Sequence, residues 1–215
     1  SPTASFSVPA CTLTVGVTAN PNSGFAPLNT VITAVVSGNV SGLYEYQFDC
    51  NNDGDATDSV LGETIFTSSN LTESRSCLNY PLGSHTPRVQ VTHVSTGAIA
   101  QGNTTVTVTA QPPVIGAVAI AEPNYCFSGP GGIVSWNVQS GGPQASYRVQ
   151  VDDDPAFGSP IVDSGQVNSA GVSYVIPGGV LQFNTTYRAR VMIWNTNNVD
   201  SGWVLLSSCS GPGCI

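Results

Sequence analysis

Short runs rich in Val, Ile, Thr and aromatic residues recur along the chain, separated by Gly, Pro, Asn and Ser, while helical periodicity is nearly absent. This pattern predicts strands over 12–19, 30–36, 43–48, 60–67, 73–80, 88–93 and 103–110. After Gln111-Pro112-Pro113 the scheme repeats, with strands over 114–121, 132–138, 145–152, 160–166, 171–176, 185–194 and 202–207. The clearest alternation is Thr104-Thr105-Val106-Thr107-Val108-Thr109, which points valines to a core and threonines to solvent. A Pro pair donates no ladder hydrogen bonds, so 111–113 reads as a short, stiff boundary.

About seven strands in about one hundred residues is the size of an immunoglobulin-like sandwich. The expected fold is therefore all-β, with two tandem immunoglobulin-like β-sandwiches over 11–110 and 114–215. Residues 1–10 form an extension with an extra strand-like piece, Thr3 to Val8, closed by Pro9. Its Ser5, Phe6, Ser7 and Val8 are candidates for a strand donated to a neighbouring subunit. Ser1-Pro2-Thr3 reads as a mature start from which an export signal has been removed.

Particular residues sharpen both halves. Ala19-Asn20-Pro21-Asn22-Ser23-Gly24-Phe25-Ala26-Pro27-Leu28, then Tyr44-Glu45-Tyr46-Gln47-Phe48-Asp49, resembles the PKD family of immunoglobulin-like domains. Arg88 to Thr92 and Thr104 to Thr109 are similar to that family's last two strands, and the resemblance spans 13–110. Cys50 and an Asn/Asp insertion replace the family's compact Gly-Asp-Gly turn. Ser135-Trp136, Tyr147 to Asp152, Asn184 to Val191 and Asp200-Ser201-Gly202-Trp203 resemble fibronectin type III over 114–208. These resemblances imply non-catalytic spacers or adhesion and assembly modules.

Charge changes the picture. Charged residues are 8% of the 215, lysine is absent, and the net charge is −8. A surface this acidic repels phosphate backbones, so nucleic acid is not an expected partner. No apolar run approaches the ~20 residues of a membrane helix, so no direct membrane span is expected. Six cysteines in a Thr/Ser/Asn-rich chain point to an oxidising compartment, hence to the extracellular cell surface. Asn39, Asn70, Asn103 and Asn184 open N-x-Ser/Thr sequons, candidates for glycosylation or chance occurrences in a chain rich in Asn and Thr.

Candidate chemistry concentrates in one loop. Asp49, Asn51, Asp53, Asp55 and Asp58 fall within ten positions of a chain holding 13 acidic residues. Asp49, Asn51 and Asp53 followed by Gly54 match the opening of a calcium loop, with Ca2+ the only cofactor suggested. Position twelve is Val60 rather than Glu, and a strand precedes the loop, so the EF-hand pattern fails. The competing reading is an Asx-rich turn with solvated carboxylates. Asp152-Asp153-Asp154 reads as a solvated turn.

Cys50 ends one expected strand and Cys77 lies in another of the same half, which makes them a pair bracing the acidic loop. Cys126 with Cys209 is the second expected pair. Cys11 and Cys214 stay open between an intrachain bond and a bond between subunits, and Cys126 with Cys214 is an alternative.

Trp136, Trp194, Trp203 and Tyr187 could form a sugar platform, although Trp136 and Tyr187 stand where such sandwiches place core aromatics. His85 and His93 read as surface or loop residues. No nucleophile, base and orienting group belong together, so no catalysis is expected. Sheet edges without lysine need another guard, or a partner. The reading is a structural subunit that polymerises with itself, head to tail, into a cell-surface filament. The alternative is an adhesion or carbohydrate-binding module with surface glycans or other surface proteins as partners.

Overall fold

The computed structural model describes residues 11–121, 130–206 and, as backbone, 208–210. The chain divides into two units, Ser1–Thr109 and Ala110–Ile215. The extra strand-like piece at 3–8 lies outside the described residues. Both units are immunoglobulin-like β-sandwiches, and among the described residues the sole helical piece is a 3-10 turn at Ser59–Leu61.

Unit 1 contains β1 (Leu13–Asn20), β2 (Ser23–Phe25), β3 (Leu28–Gly38), β4 (Tyr44–Asp49), β5 (Thr64–Ser68), β6 (Thr72–Tyr80), β7 (Gly83–His85), β8 (Arg88–His93), β9 (Ile99–Asn103) and β10 (Val106–Thr109). Antiparallel β1–β3–β6 makes one layer and β5–β4–β8–β9 the other, while β10 pairs with β7 and, in parallel, with β2. Period-two alternation sends Ile32, Ala34 and Val36 of β3 inward against Tyr44, Tyr46 and Phe48 of β4 and Val89 and Val91 of β8. Tyr46, Phe48 and Phe66 stack with centroids 5.6–6.4 Å apart. Each such buried side chain stabilises the fold by roughly 1.5–3 kcal/mol. The disulfide Cys50–Cys77 ties the end of β4 to β6, one layer to the other, across 27 positions of chain.

Unit 2 contains β11 (Val114–Ala121), β12 (Gly132–Ser140), β13 (Gln144–Asp152), β14 (Val162–Asp163), β15 (Ser173–Ile176), β16 (Arg188–Asn195), β17 (Val204–Leu205) and β18 (Ser208–Ser210). Its layers are β15–β12–β11–β18 and β14–β13–β16–β17. Val118, Val134, Trp136, Val149, Val151 and Ile193 fill the space between them. Trp136 donates its indole N–H to Gln144 at 2.9 Å and meets Tyr147 edge-on. The Tyr187 hydroxyl accepts the Gln182 N–H five residues upstream, the arrangement of a tyrosine corner. The Gln111 carbonyl accepts a hydrogen bond from Asn195, and Gly141 packs on Pro112, which holds the Pro pair to this unit.

Three expectations need correction. Residues 60–63 are not strand: the Asp58 carbonyl accepts the N–H groups of both Leu61 and Glu63, which curls the chain into the 3-10 turn before β5. Expected strand 103–110 is two strands, because Asn103 and Thr104 stay on the β8 side, Thr104 bonding the Pro87 carbonyl, whereas Val106–Thr109 pairs with β7 and β2. Neither histidine is a bare surface residue. His93 is buried at the end of β8 against Thr96 and Ser41, and His85 stacks on Tyr80 at 4.7 Å.

Candidate functional site

The acidic loop begins where β4 ends. Asp49 lies in register with Arg88 of β8 and is 2% exposed. Its Oδ2 accepts from the Arg88 guanidinium at 2.8 Å and from the Gly54 N–H at 3.1 Å, and its Oδ1 accepts the Asn52 N–H. Asn52 and Gly54 both sit at positive φ, the conformation that Asn and Gly tolerate best, so the chain folds tightly over the carboxylate. Each following carboxylate or amide then caps a nearby donor. Asn51 accepts the Asp53 N–H at 3.0 Å, Asp53 accepts the Asp55 N–H at 2.8 Å, and Asp55 accepts the Thr57 hydroxyl at 2.7 Å. The first two are Asx turns in succession. The Asp55 N–H and the Asn51 side chain hold the Asp53 carboxyl below its usual range.

Glu63 closes the loop, and sequence reasoning missed it. It is 6% exposed; Oε1 accepts the N–H groups of Cys50 (2.9 Å) and Asn51 (3.3 Å), and Oε2 accepts that of Asp58 (3.1 Å). Burial raises its carboxyl above the usual range despite these three donors. The Tyr80 hydroxyl donates to the Cys50 carbonyl at 2.6 Å, so disulfide, tyrosine and glutamate all grip the same corner. No linear pattern marks Glu63, because its donors reach it only once the loop has doubled back.

In this structure the candidate calcium ligands serve the loop itself. Both Asp49 oxygens and the Asn51 and Asp53 acceptors are engaged with donors of the loop or Arg88, and Asp58 has Asn51 as neighbour at 3.4 Å. Among the described residues no three Asp, Glu, His or Cys side chains gather as a metal ion needs.

Unit 2 repeats the geometry with a different outcome. Asp152 ends β13, is 2% exposed and lies in register with Arg188 of β16, yet no ion pair joins them. The solvated turn expected at 152–154 is thus corrected at its first residue: Oδ1 of Asp152 accepts the Asp153 N–H, and its buried Oδ2 has no hydrogen-bond partner. Asp153 and Asp154 are exposed as expected. The turn then places Phe157, buried and at φ +53°, under the Arg190 guanidinium at 4.3 Å. A bulky residue at positive φ is strained, and burial with the cation contact holds it there.

From Arg190 a stack runs over the outward face of the sheet. Arg190 lies 4.4 Å from the Trp203 ring, with Arg148 at 5.9 Å. Gln150 accepts both Arg190 donors and passes its own amide N–H to Asp163. Asp163 accepts two bonds from Arg148, which hold its carboxyl well below the usual range. Trp136 belongs to the core cluster and Tyr187 packs against that cluster, whereas Trp194 and Trp203 are half-buried, so the four aromatics form no common platform.

The other candidates are scattered. Asn39, Asn70, Asn103 and Asn184 are all exposed. Cys11 is exposed and forms no disulfide among the described residues. Cys126 and Cys214 lie outside the described residues, as do Ser5, Phe6, Ser7 and Val8, and Cys209 is described only as backbone of β18. A depression of about 650 Å³ beside Val36, Asn39, Val40, Tyr44 and Leu71 contains no carboxylate, histidine or thiol in its lining.

With the geometry in place, the class is an immunoglobulin-like one. A family model described as the Rha78A-like, N-terminal immunoglobulin domain matches residues 130–210. Among solved structures, the chain is similar to the titin domains z1z2 in complex with telethonin, at 14% identity, covering 96% of this chain and 100% of that one, with TM-score 0.46. It is also similar to the FN1–FN3 domains of chicken CNTN1 (15% identity, 91% of this chain and 66% of that one, TM-score 0.34). The human OSCAR ligand-binding domain gives 10% identity, 90% and 97% coverage and TM-score 0.34. No curated protein matches the chain. Such sandwiches serve mostly as non-catalytic modules, and the disulfide fits a secreted or extracellular setting.

Proposed function

We propose that this chain is a non-catalytic structural subunit of a cell-surface filament, built head to tail by adding one subunit's N-terminal strand to its neighbour's sheet. In this reading 11–110 is a PKD-type module, 114–215 a fibronectin type III-like module, and 111–113 their joint. The observation that carries the reading is a pair of unguarded edges. β5 and β15 each pair on one side only among the described residues. Their sequences, Thr64-Ile65-Phe66-Thr67-Ser68 and Ser173-Tyr174-Val175-Ile176, contain no charge and no proline, with Val175 64% exposed. Soluble proteins blunt such edges with lysine, proline or bulges, and an unblunted one is a template for an added strand.

Deleting Ser1 to Pro9 tests the reading. Negative-stain electron microscopy should show filaments for the whole chain and only short species for the truncated one; equal polymers from both would end it. A spacer or adhesion module within a larger secreted protein is the second reading, favoured by the match of 130–210 to an N-terminal immunoglobulin domain. A glycan-array signal lost on substituting Trp203 would support it.

A further inference from the structure

Five arginines are the chain's whole stock of strong cations, and three are matched to carboxylates: Arg75 to Glu73, Arg88 to Asp49 and Arg148 to Asp163. Arg188 and Arg190 have no carboxylate within ion-pair distance among the described residues. They stand two positions apart on β16 and so share one outward face, beside the half-buried Trp203. In a chain of net charge −8, two guanidiniums that form no ion pair stand out, although Asp152 lies in register with Arg188.

The opposite surface exists in unit 1. Asp53, Asp55 and Asp58 are exposed; Asx turns fix the backbone at Asp53 and Asp55, and Glu63 holds it at Asp58. Val60, 78% exposed, adds an apolar side chain at the edge of the same loop. Three oriented carboxylates beside one apolar group match two guanidiniums beside one ring.

We propose that the Arg188–Arg190–Trp203 face of one copy docks the Asp53–Val60 loop of a second copy. Each contact pairs two different patches, which leaves one free patch of each kind for a further copy. The inference rests on the reading of the chain as a self-assembling subunit, and it names a contact separate from the donated strand. Because the loop is pre-organised, docking orders little new backbone. Because the attraction is between surface charges, salt weakens it.

Sedimentation velocity on the whole chain reads this contact. Raising NaCl from about 50 mM to about 500 mM should weaken self-association at least ~10-fold. Arg188→Asp alone, and Asp55→Arg with Asp58→Arg alone, should each weaken it by a similar factor. Mixing the two variants should restore association, since the parent loop of one variant then meets the parent face of the other. All these positions are exposed, and thermal melts that match the parent chain show that the variants fold. A parent chain that stays monomeric at low salt, single reversals without effect, or a mixture that fails to recover would each overturn the proposal. Deleting Ser1 to Pro9 separates the two ideas. Salt-sensitive pairs that persist without filaments keep this contact, whereas filaments indifferent to the reversals keep strand donation and discard it.

Discussion

Asp49 and Asp152 occupy equivalent places. Each ends an inner strand of a four-stranded layer, each is almost wholly buried, and each faces an arginine one strand away. In unit 1 the pair forms a 2.8 Å ion pair and the following loop supplies two more donors. In unit 2 the arginine is exposed, the turn supplies one donor, and one oxygen stays unpartnered. Register alone therefore does not make an ion pair. What differs is the chain that follows: a long loop returning through Glu63 to the disulfide corner, against a short turn that slides Phe157 under Arg190. The first acidic cluster braces its fold, and the second leaves its cation free to meet something else.

The disulfide gives the largest expected break in that comparison. Cys50→Ala with Cys77→Ala should cost about 3–4 kcal/mol and lower the melting of unit 1 while leaving unit 2 near its parent value; two-transition calorimetry reads it. Glu63→Ala strands three N–H donors, two of them on the disulfide corner, and should cost about 3 kcal/mol in denaturant titrations, with Glu63→Gln losing less.

The Arg148–Asp163 pair sharpens the unit 2 side. It is partly exposed, so Asp163→Asn should cost no more than about 1 kcal/mol at neutral pH. Because the folded carboxyl lies below its usual range, this stability is present above about pH 4 and is lost as pH falls toward the depressed value. The gap between parent and variant should accordingly narrow below pH 4. Smallest of all, excess chelator and several millimolar calcium should give the same melting temperature, since donors already engage the Asp49, Asn51 and Asp53 oxygens; a rise with calcium would add an ion to the corner.

The sandwiches were legible because alternation is a local code. β8 and β11 fall where the pattern predicts, and Val106 and Val108 point inward as read. β2 and β7 were not, since three-residue strands carry no period. β9 hides behind Gly102, whose bare Cα lets Val15 approach: a Cβ there would lie 2.8 Å from its carbonyl. The acidic loop was legible as a place but not as a mechanism. Asp49, Asn51 and Asp53 spell the start of a calcium loop, yet Arg88, 39 positions on, and Glu63 decide what those oxygens do. His93 misled for the same reason, its partners being Thr96 and the distant Ser41.

The central claim is that equivalent buried aspartates play unequal parts. Urea unfolding of Asp49→Asn and Asp152→Asn, followed separately for each unit, tests it most directly. Asp49→Asn should lose about 2–4 kcal/mol, because Arg88 loses its carboxylate and the Gly54 N–H meets an amide. Asp152→Asn should change stability by less than about 1 kcal/mol, because it removes a buried charge whose second oxygen bonds nothing. Equal losses at the two positions, or a larger one at Asp152, would contradict the account.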